Sequence, residues 1–355
     1  MKSKVYFAQV ADGDDISAVN ARLSLLLAES RILEFVAGMK KVAVKMHFGE
    51  EGTSAFVKPE HLRLINDEIL KNQAVPFLSD ANTLYRGKRM NSKDHYDVAT
   101  AHGFTKQALG VDLFIPDDTK KEDVTEVRID QRHIKTARVA RCYVETDGLV
   151  AVTHFKGHGL AGFGGALKNI GMGCATREGK LAQHNDAAPI LYGDRCIGCG
   201  ECEKVCPSGA IQMQDDKSVL SKEKCIGCAS CVAACPNDAI FIDFTAGDDL
   251  QRKMVEYAFA ILRPMKDKSG FLNFAFHINK ECDCWPGENS RIAPDVGILA
   301  SPDPVAIDKA SLDLVNVFCN KEIFREAHPQ QNHTLQLEYA EMLGLGSTNY
   351  ELICV

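Results

Sequence analysis

Short apolar runs alternate along this chain with longer stretches in which apolar residues recur every three or four positions. Val5 to Val10 reads as a first strand, and Ser17 to Phe35 has helical spacing through Leu23, Leu26, Leu27, Ile32 and Phe35. Lys41 to Met46 is a second strand that runs into His47-Phe48-Gly49. Pro59 opens a helix that runs to Leu70, a position its fixed φ suits. Pro76 to Asp80 and Leu113 to Ile115 follow as strands, and Gly148 to Thr153 is apolar enough for burial on both faces. In the last third, Leu250–Leu262 and Val305–Phe318 read as helices, and Gly270–Phe276, Asp295–Ala300 and Glu351–Val355 as strands. Strands alternating with helices predict an α/β fold, with a mostly parallel sheet and helices on both faces.

One region breaks the alternation. Cys196-x2-Cys199-x2-Cys202-x3-Cys206-Pro207 is repeated 29 positions later as Cys225-x2-Cys228-x2-Cys231-x3-Cys235-Pro236. Eight thiolates in this rhythm are the ligand count of two 4Fe–4S clusters. Three cysteines at two-residue intervals aim three sulfurs into one concavity, and Gly198, Gly200 and Gly227 let backbone amides approach. The fourth cysteine of each run faces the other cluster. The expected sets are Cys196, Cys199, Cys202 and Cys235 for one cluster, and Cys206, Cys225, Cys228 and Cys231 for the other. Zinc is the alternative for Cys-x2-Cys pairs, but zinc sites rarely carry three cysteines at this rhythm before Cys-Pro, still less twice. Residues 190–245 therefore form an inserted small α+β module, and residues 1–189 and 246–355 form one discontinuous α/β domain. Two α/β domains flanking the module are the rival arrangement.

A second constellation follows the buried strand at 148–153. Residues 153–174 are dense in glycine and hold His154, His158, Lys168 and Asn169. Loops after such strands carry ligand sites in α/β proteins, and glycines let N–H groups approach an anion or cofactor. Gly162, Gly164, Gly165 and Lys168 are the candidate cofactor contacts. His47, His154, His158, Lys168 and Asn169 are the candidate catalytic groups. A tightly packed turn with solvated polar residues is the competing explanation. Cys282 and Cys284, spaced to share one face of an extended segment, are suited to bind a metal, hold a redox disulfide or contact substrate, or else are simply buried thiols. Cys142, Cys319 and Cys354 read as core thiols. Cys174 closes the glycine loop, and sequence alone leaves it undecided.

The chain has 355 residues, 45% of them hydrophobic and 25% charged, with a formal charge of −7. That balance fits a soluble globular protein and argues against nucleic acid as partner. No apolar run is long enough for membrane insertion, and the N-terminus turns polar at Asp12–Asp15. Fourteen cysteines without a secretory signal read as reduced thiols and metal ligands, which places the protein in a cytoplasm.

Residues 190–245 resemble the bacterial two-cluster ferredoxin, which implies a pseudo-twofold module. Lys45–Gly49, His154–Gly173, Cys282–Cys284 and Asp295–Asp308 resemble a domain-of-unknown-function family of iron–sulfur centre proteins, a likeness that spans nearly the whole chain. Ala161–Lys168 is also similar to the lysine loop of nickel-pincer lactate racemases. That likeness implies a shared α/β scaffold, a small-molecule site at the loop and a cofactor-anchoring role for Lys168. A further metal or small-molecule cofactor thus stands open beside the two clusters. No flavin or nicotinamide fingerprint is present.

The resulting expectation is an iron–sulfur redox protein, with oxidoreductase activity left open by these residues alone. Its clusters would exchange electrons with a small-molecule site in the α/β domain and with a redox partner protein. The alternative is a ferredoxin-type carrier whose α/β part only docks partners, or clusters that merely staple the insertion.

Overall fold

A computed structural model describes residues 2–184, 188–242, 247–284 and 289–355. Among these, the central sheet has eight strands. They are β1 (Ser3–Gln9), β2 (Val42–Lys45), β3 (Pro76–Ser79), β4 (Asp112–Leu113), β5 (Gly148–His154), β6 (Ser269–Ala275), β7 (Gly297–Ser301) and β8 (Tyr350–Cys354). Their order is β8-β1-β7-β6-β5-β2-β3-β4. Only β7 runs against the others, pairing antiparallel with β1 and β6. The sheet draws strands from both sides of the cysteine region.

Alternate residues on each strand face opposite layers, as the period of two requires. Val42, Val44, Val150, Val152 and Leu272 pack with α1 (Ile16–Ser30) and α2 (Pro59–Lys71). Ala43, Leu149, Ala151 and Phe271 pack on the other face, with α3 (Ala166–Gly171), α5 (Gly247–Leu262), α6 (Pro304–Cys319) and α7 (Leu335–Met342). Between α3 and α5 lies α4 (Arg177–His184), which leads toward the cysteine region.

Local chemistry sets the boundaries. The Asp15 carboxylate caps α1 by accepting from Ala18 N–H, and Pro59 starts α2. The periodicity through Phe35 predicts a longer α1, but the helix stops at Ser30, where Arg31 turns left-handed (φ 53°). Ile32 and Phe35 still join the apolar layer, through a short 3₁₀ turn at Glu34–Val36. Asp303 caps α6 with bonds from Val305 and Ala306 N–H, both 2.9 Å. Two antiparallel hairpins lack a sequence signal: Val124–Arg128 with Thr136–Ala140, and Lys156–His158 with Gly162–Gly164. Cys142 and Cys174 are buried, but Cys354 is exposed on edge strand β8 and Cys319 is only half-buried at the end of α6. Neither of the latter two is a core thiol, because each sits where its element meets solvent.

The cysteine region builds two small ribbons, Ile190–Leu191 with Ile240–Phe241 and Ile211–Gln214 with Lys217–Leu220. No helix among the described residues is long and apolar enough to cross a membrane.

Candidate functional site

The cysteine repeat is also a conformational repeat. Gly198 and Gly227 are left-handed (φ 74° and 72°), and so are Gly200 and Ala229 (72° and 55°) and Gly209 and Asp238 (61° and 48°). Each pair keeps the 29-residue spacing of the cysteines. Short helices at Glu201–Lys204 and Ser230–Ala234 start at matching positions. Ala210 N–H donates to the Cys206 sulfur and Ala239 N–H to the Cys235 sulfur, both at 3.2 Å. An alanine in the left-handed region costs about 1 kcal/mol, so its presence at 229 means the turn itself is required.

Cys206, Cys225, Cys228 and Cys231 line one cavity, together with Ala210, Ile211, Leu220 and Gly227. Burial pushes the Cys231 thiol up to about 12, and Cys228, Cys225 and Cys206 push the same way. Each of these sulfurs, as a thiolate, disfavours ionisation of Cys231. Among the described residues no three His, Cys, Asp or Glu side chains gather as ligands of a single metal ion. In the other set, Cys196, Cys202 and Cys235 are buried in one apolar cluster, while Cys199 is exposed. The Ser218 hydroxyl stands 3.4 Å from the Cys196 sulfur and 3.1 Å from that of Cys202.

A second group of side chains gathers where β2, β3, β5 and β6 end, the edge at which open α/β sheets bind ligands. Lys45, at the end of β2, donates to the Met46 carbonyl (2.7 Å), Asp80 Oδ1 (3.0 Å) and Asn169 Oδ1 (2.9 Å). Asp80 follows β3, and Arg89 reaches its other oxygen at 3.3 Å. Arg89 also binds Glu50 (3.1 Å) and the Tyr85 hydroxyl (2.8 Å), and Tyr85 in turn donates to Glu50 (2.7 Å). Lys45, Asp80, Glu50 and Arg89 are all buried. Burial pushes the Asp80 carboxyl up, but Lys45, His95, Arg89 and Lys180 outweigh it and hold it at about 2.

His154 and Asn169 are wholly engaged by this frame. His154 Nε2 donates to the Phe276 carbonyl and Nδ1 lies against Asp283, both at 2.8 Å. Asn169 donates to the Val152 carbonyl (3.1 Å) and Thr153 Oγ1 (2.9 Å). Lys156 donates to the His154 carbonyl (2.8 Å) and pairs with Asp283 (3.0 Å). These groups position their neighbours.

His47, His158, Lys168 and Cys284 are half-buried, so each keeps some contact with solvent. His47 Nδ1 accepts from Gly49 N–H (3.0 Å), and His158 Nδ1 accepts from Leu160 and Ala161 N–H (3.2 and 3.1 Å). Both rings therefore carry their proton on Nε2. Burial is the main reason both imidazoles titrate well below the usual range. Arg89, Lys156, Lys45 and Lys168 add to it at His47, and Lys168, His184 and Lys156 at His158. Both are neutral donors at neutral pH.

Lys168 Nζ lies 3.6 Å from the buried Cys282 sulfur. Burial alone would lower this ammonium, but the Cys282 and Cys284 sulfurs outweigh it and hold it above its ordinary range. The neighbouring Cys284 thiol, with Lys168 and Lys156, holds Cys282 well below an ordinary thiol. Cys282 thus ionises more readily than an ordinary thiol, beside the Lys168 ammonium. Trp285 and Pro286, which follow the pair, lie outside the described residues.

The glycines of the loop make room for the protein's own groups. A Cβ at Gly165 would stand 2.3 Å from an Asp308 oxygen, at Gly157 2.1 Å from the Lys280 carbonyl oxygen, and at Gly171 2.1 Å from that of Met254. Gly164 passes beside the stems of Lys168 and Lys156, and Gly162 lies against the His333 ring. Asp308 accepts from Ala166 N–H (2.7 Å) and Leu167 N–H (2.9 Å), which fixes the first turn of α3 and with it Lys168.

Sequence reasoning missed Glu50, Tyr85, Arg89, Lys156, Asp80, Asp283 and Asp308 as parts of this site. A charged residue ending an apolar strand was the available signal for Asp80. Glu50, Tyr85 and Arg89 carry none.

Comparison with known proteins places the chain as follows. No curated protein matches it. The structure of the lactate racemase apoprotein from Thermoanaerobacterium thermosaccharolyticum is similar at 14% identity and a TM-score of 0.42, over 78% of this chain and 51% of that one. A Thermotoga maritima protein of known structure is similar at 14% identity and a TM-score of 0.39, over 94% of this chain and 61% of that one. The chain thus spans about half to three fifths of the length of these proteins. A family model, that of the domain of unknown function DUF362, matches residues 42–313, so the chain belongs to the DUF362 family.

Proposed function

We propose that this protein is a cytoplasmic iron–sulfur redox protein whose two cysteine sets hold 4Fe–4S clusters and exchange electrons with the site at the sheet edge. Such clusters, when bound, supply one-electron transfer. The observation that carries the reading is one segment, residues 80–89, that touches both places. Leu84 packs in the apolar cluster of Cys196, Cys202, Cys231 and Cys235. Arg86 donates to the Cys235 carbonyl (3.5 Å). The neighbouring Tyr85 and Arg89 lie within electrostatic reach of Cys284. A second bridge comes from α4, where Arg177 donates to the Ala229 carbonyl (2.9 Å) and Leu181 joins the same apolar cluster.

At the sheet edge the chain's own groups offer a fixed cation, Lys168, to neutralise a developing anion, and two neutral imidazole donors, His47 and His158, to supply a proton. A ferredoxin-type carrier would need the cysteine module and a docking surface for a partner protein. It has no use for a buried thiol made more acidic beside an ammonium, and that feature favours an active site.

The test is reductive titration of protein purified without oxygen, on the wild type and on Lys168→Met. The expected result is the same cluster spectrum and the same two-electron uptake by the clusters in both, with small-molecule turnover abolished only in the variant. Loss of the cluster spectrum in Lys168→Met would contradict this division of roles.

A further inference from the structure

Cys282 and Cys284 have a chemistry that electron exchange alone does not require. Both are free. One residue separates them, so both lie on one short segment, and each shifts the other's ionisation, Cys282 down and Cys284 up. Cys282 is buried beside Lys168, whereas Cys284 is half-buried. Asp283, between them, is fixed by His154 and Lys156, which holds the segment in place. No other cysteine outside the two cluster sets has a charged partner at hydrogen-bond distance among the described residues.

We infer that Cys282 and Cys284 form a redox-active dithiol, and that the substrate class of this site is a small disulfide or its thiol. The inference deepens the proposed redox function and rests on it only for the electrons' further route. The chemistry balances with a disulfide RSSR. Cys284 sulfur attacks one RSSR sulfur as its proton passes to Cys282, the R–S–S–R bond breaks, and RS⁻ leaves. Cys282 then gives up that proton to the departed RS⁻, forming RSH, and, as a thiolate beside Lys168, attacks the Cys284 sulfur and expels the second RS⁻. The pair has lost two electrons and one proton, and RSSR has gained the two electrons. Run backwards, the dithiol is regenerated from two thiols. Lys168 acts at the resolving step, where it keeps Cys282 ionised.

The probe is glutathione, oxidised and reduced in varied ratio, applied without oxygen to the full chain with its clusters. The readout is differential alkylation of each cysteine by peptide mass spectrometry, with iron content and visible absorbance recorded on the same samples. The expected result is a reversible bond between Cys282 and Cys284. Cys282→Ser should trap glutathione on Cys284, and Cys284→Ser should take up none at this site. In Lys168→Met, alkylation of Cys282 at neutral pH should slow by about tenfold or more, since one unit of thiol pKa is a tenfold change in thiolate. If both cysteines stay fully alkylatable at every ratio while iron and absorbance are intact, the inference is overturned and the cluster reading stands. Loss of bound metal on Cys282→Ser would also overturn it, by showing the pair to be ligands. A normal disulfide response in protein that holds no iron would leave the dithiol standing and sink the cluster reading.

Discussion

Replacing Cys206 by serine should remove the cluster of the second cysteine run and leave that of its own run in place. Cys206 lies in the first run, but its side chain lines the cavity shared with Cys225, Cys228 and Cys231. Its sulfur receives the amide of Ala210 from the helix-to-strand turn, as Cys235 receives that of Ala239. The expected loss is about four of eight irons, with the same remaining spectrum as Cys231→Ser. Cys235→Ser should group with Cys196→Ser instead. Iron analysis and low-temperature electron paramagnetic resonance of the four variants, prepared without oxygen, check this. A Cys206→Ser spectrum that matches Cys196→Ser would contradict the crossed assignment.

Replacing Asp80 by alanine should cost about 3–5 kcal/mol of stability, the usual penalty for breaking a buried ion pair from one side. Its side chain is 4% exposed and bridges Lys45 and Arg89, each 1% exposed. Without it two buried cations lose an anionic partner, and Lys45 loses part of the hold that places it on Asn169, next to Lys168. Asp80→Asn keeps the shape but not the charge, and should also destabilise strongly. The wild type should show the linked acid dependence. The Asp80 carboxyl is held at about 2, below its unfolded value of about 3.9. A depressed carboxyl contributes stability that is fully present above the unfolded value and is lost as the pH falls toward the folded one, so this contribution disappears between about pH 4 and pH 2. Denaturant unfolding of wild type and variants measures both effects. An Asp80→Ala protein within about 0.5 kcal/mol of wild type would show that the network is not under this load.

The main elements were legible because the strands are short and apolar and the helices carry caps and prolines where their ends fall. Pro59 and Asp303 each stand at a helix start. The direction of β7 was not legible, since an apolar run buried on both faces reads the same in either orientation. The hairpin at 156–164 was hidden for another reason: its glycines suggest a ligand loop, yet Gly157 serves close approach of Lys280 and Gly162 that of His333, contacts that lie far away in the sequence. The cysteine spacing identified the eight candidate ligands, and their left-handed turns repeat with the same period. At the sheet edge His47, His158, Lys168, Cys282 and Cys284 could be named from sequence. The frame of Glu50, Asp80, Tyr85 and Arg89 could not, because its members find one another only after β2 and β3 pair.

The central claim is that the two cysteine sets hold two four-iron clusters. Elemental and acid-labile sulfide analysis of protein purified without oxygen tests it most directly. The account predicts about eight irons and eight sulfides per chain. Four irons or fewer, with zinc in their place, would contradict it.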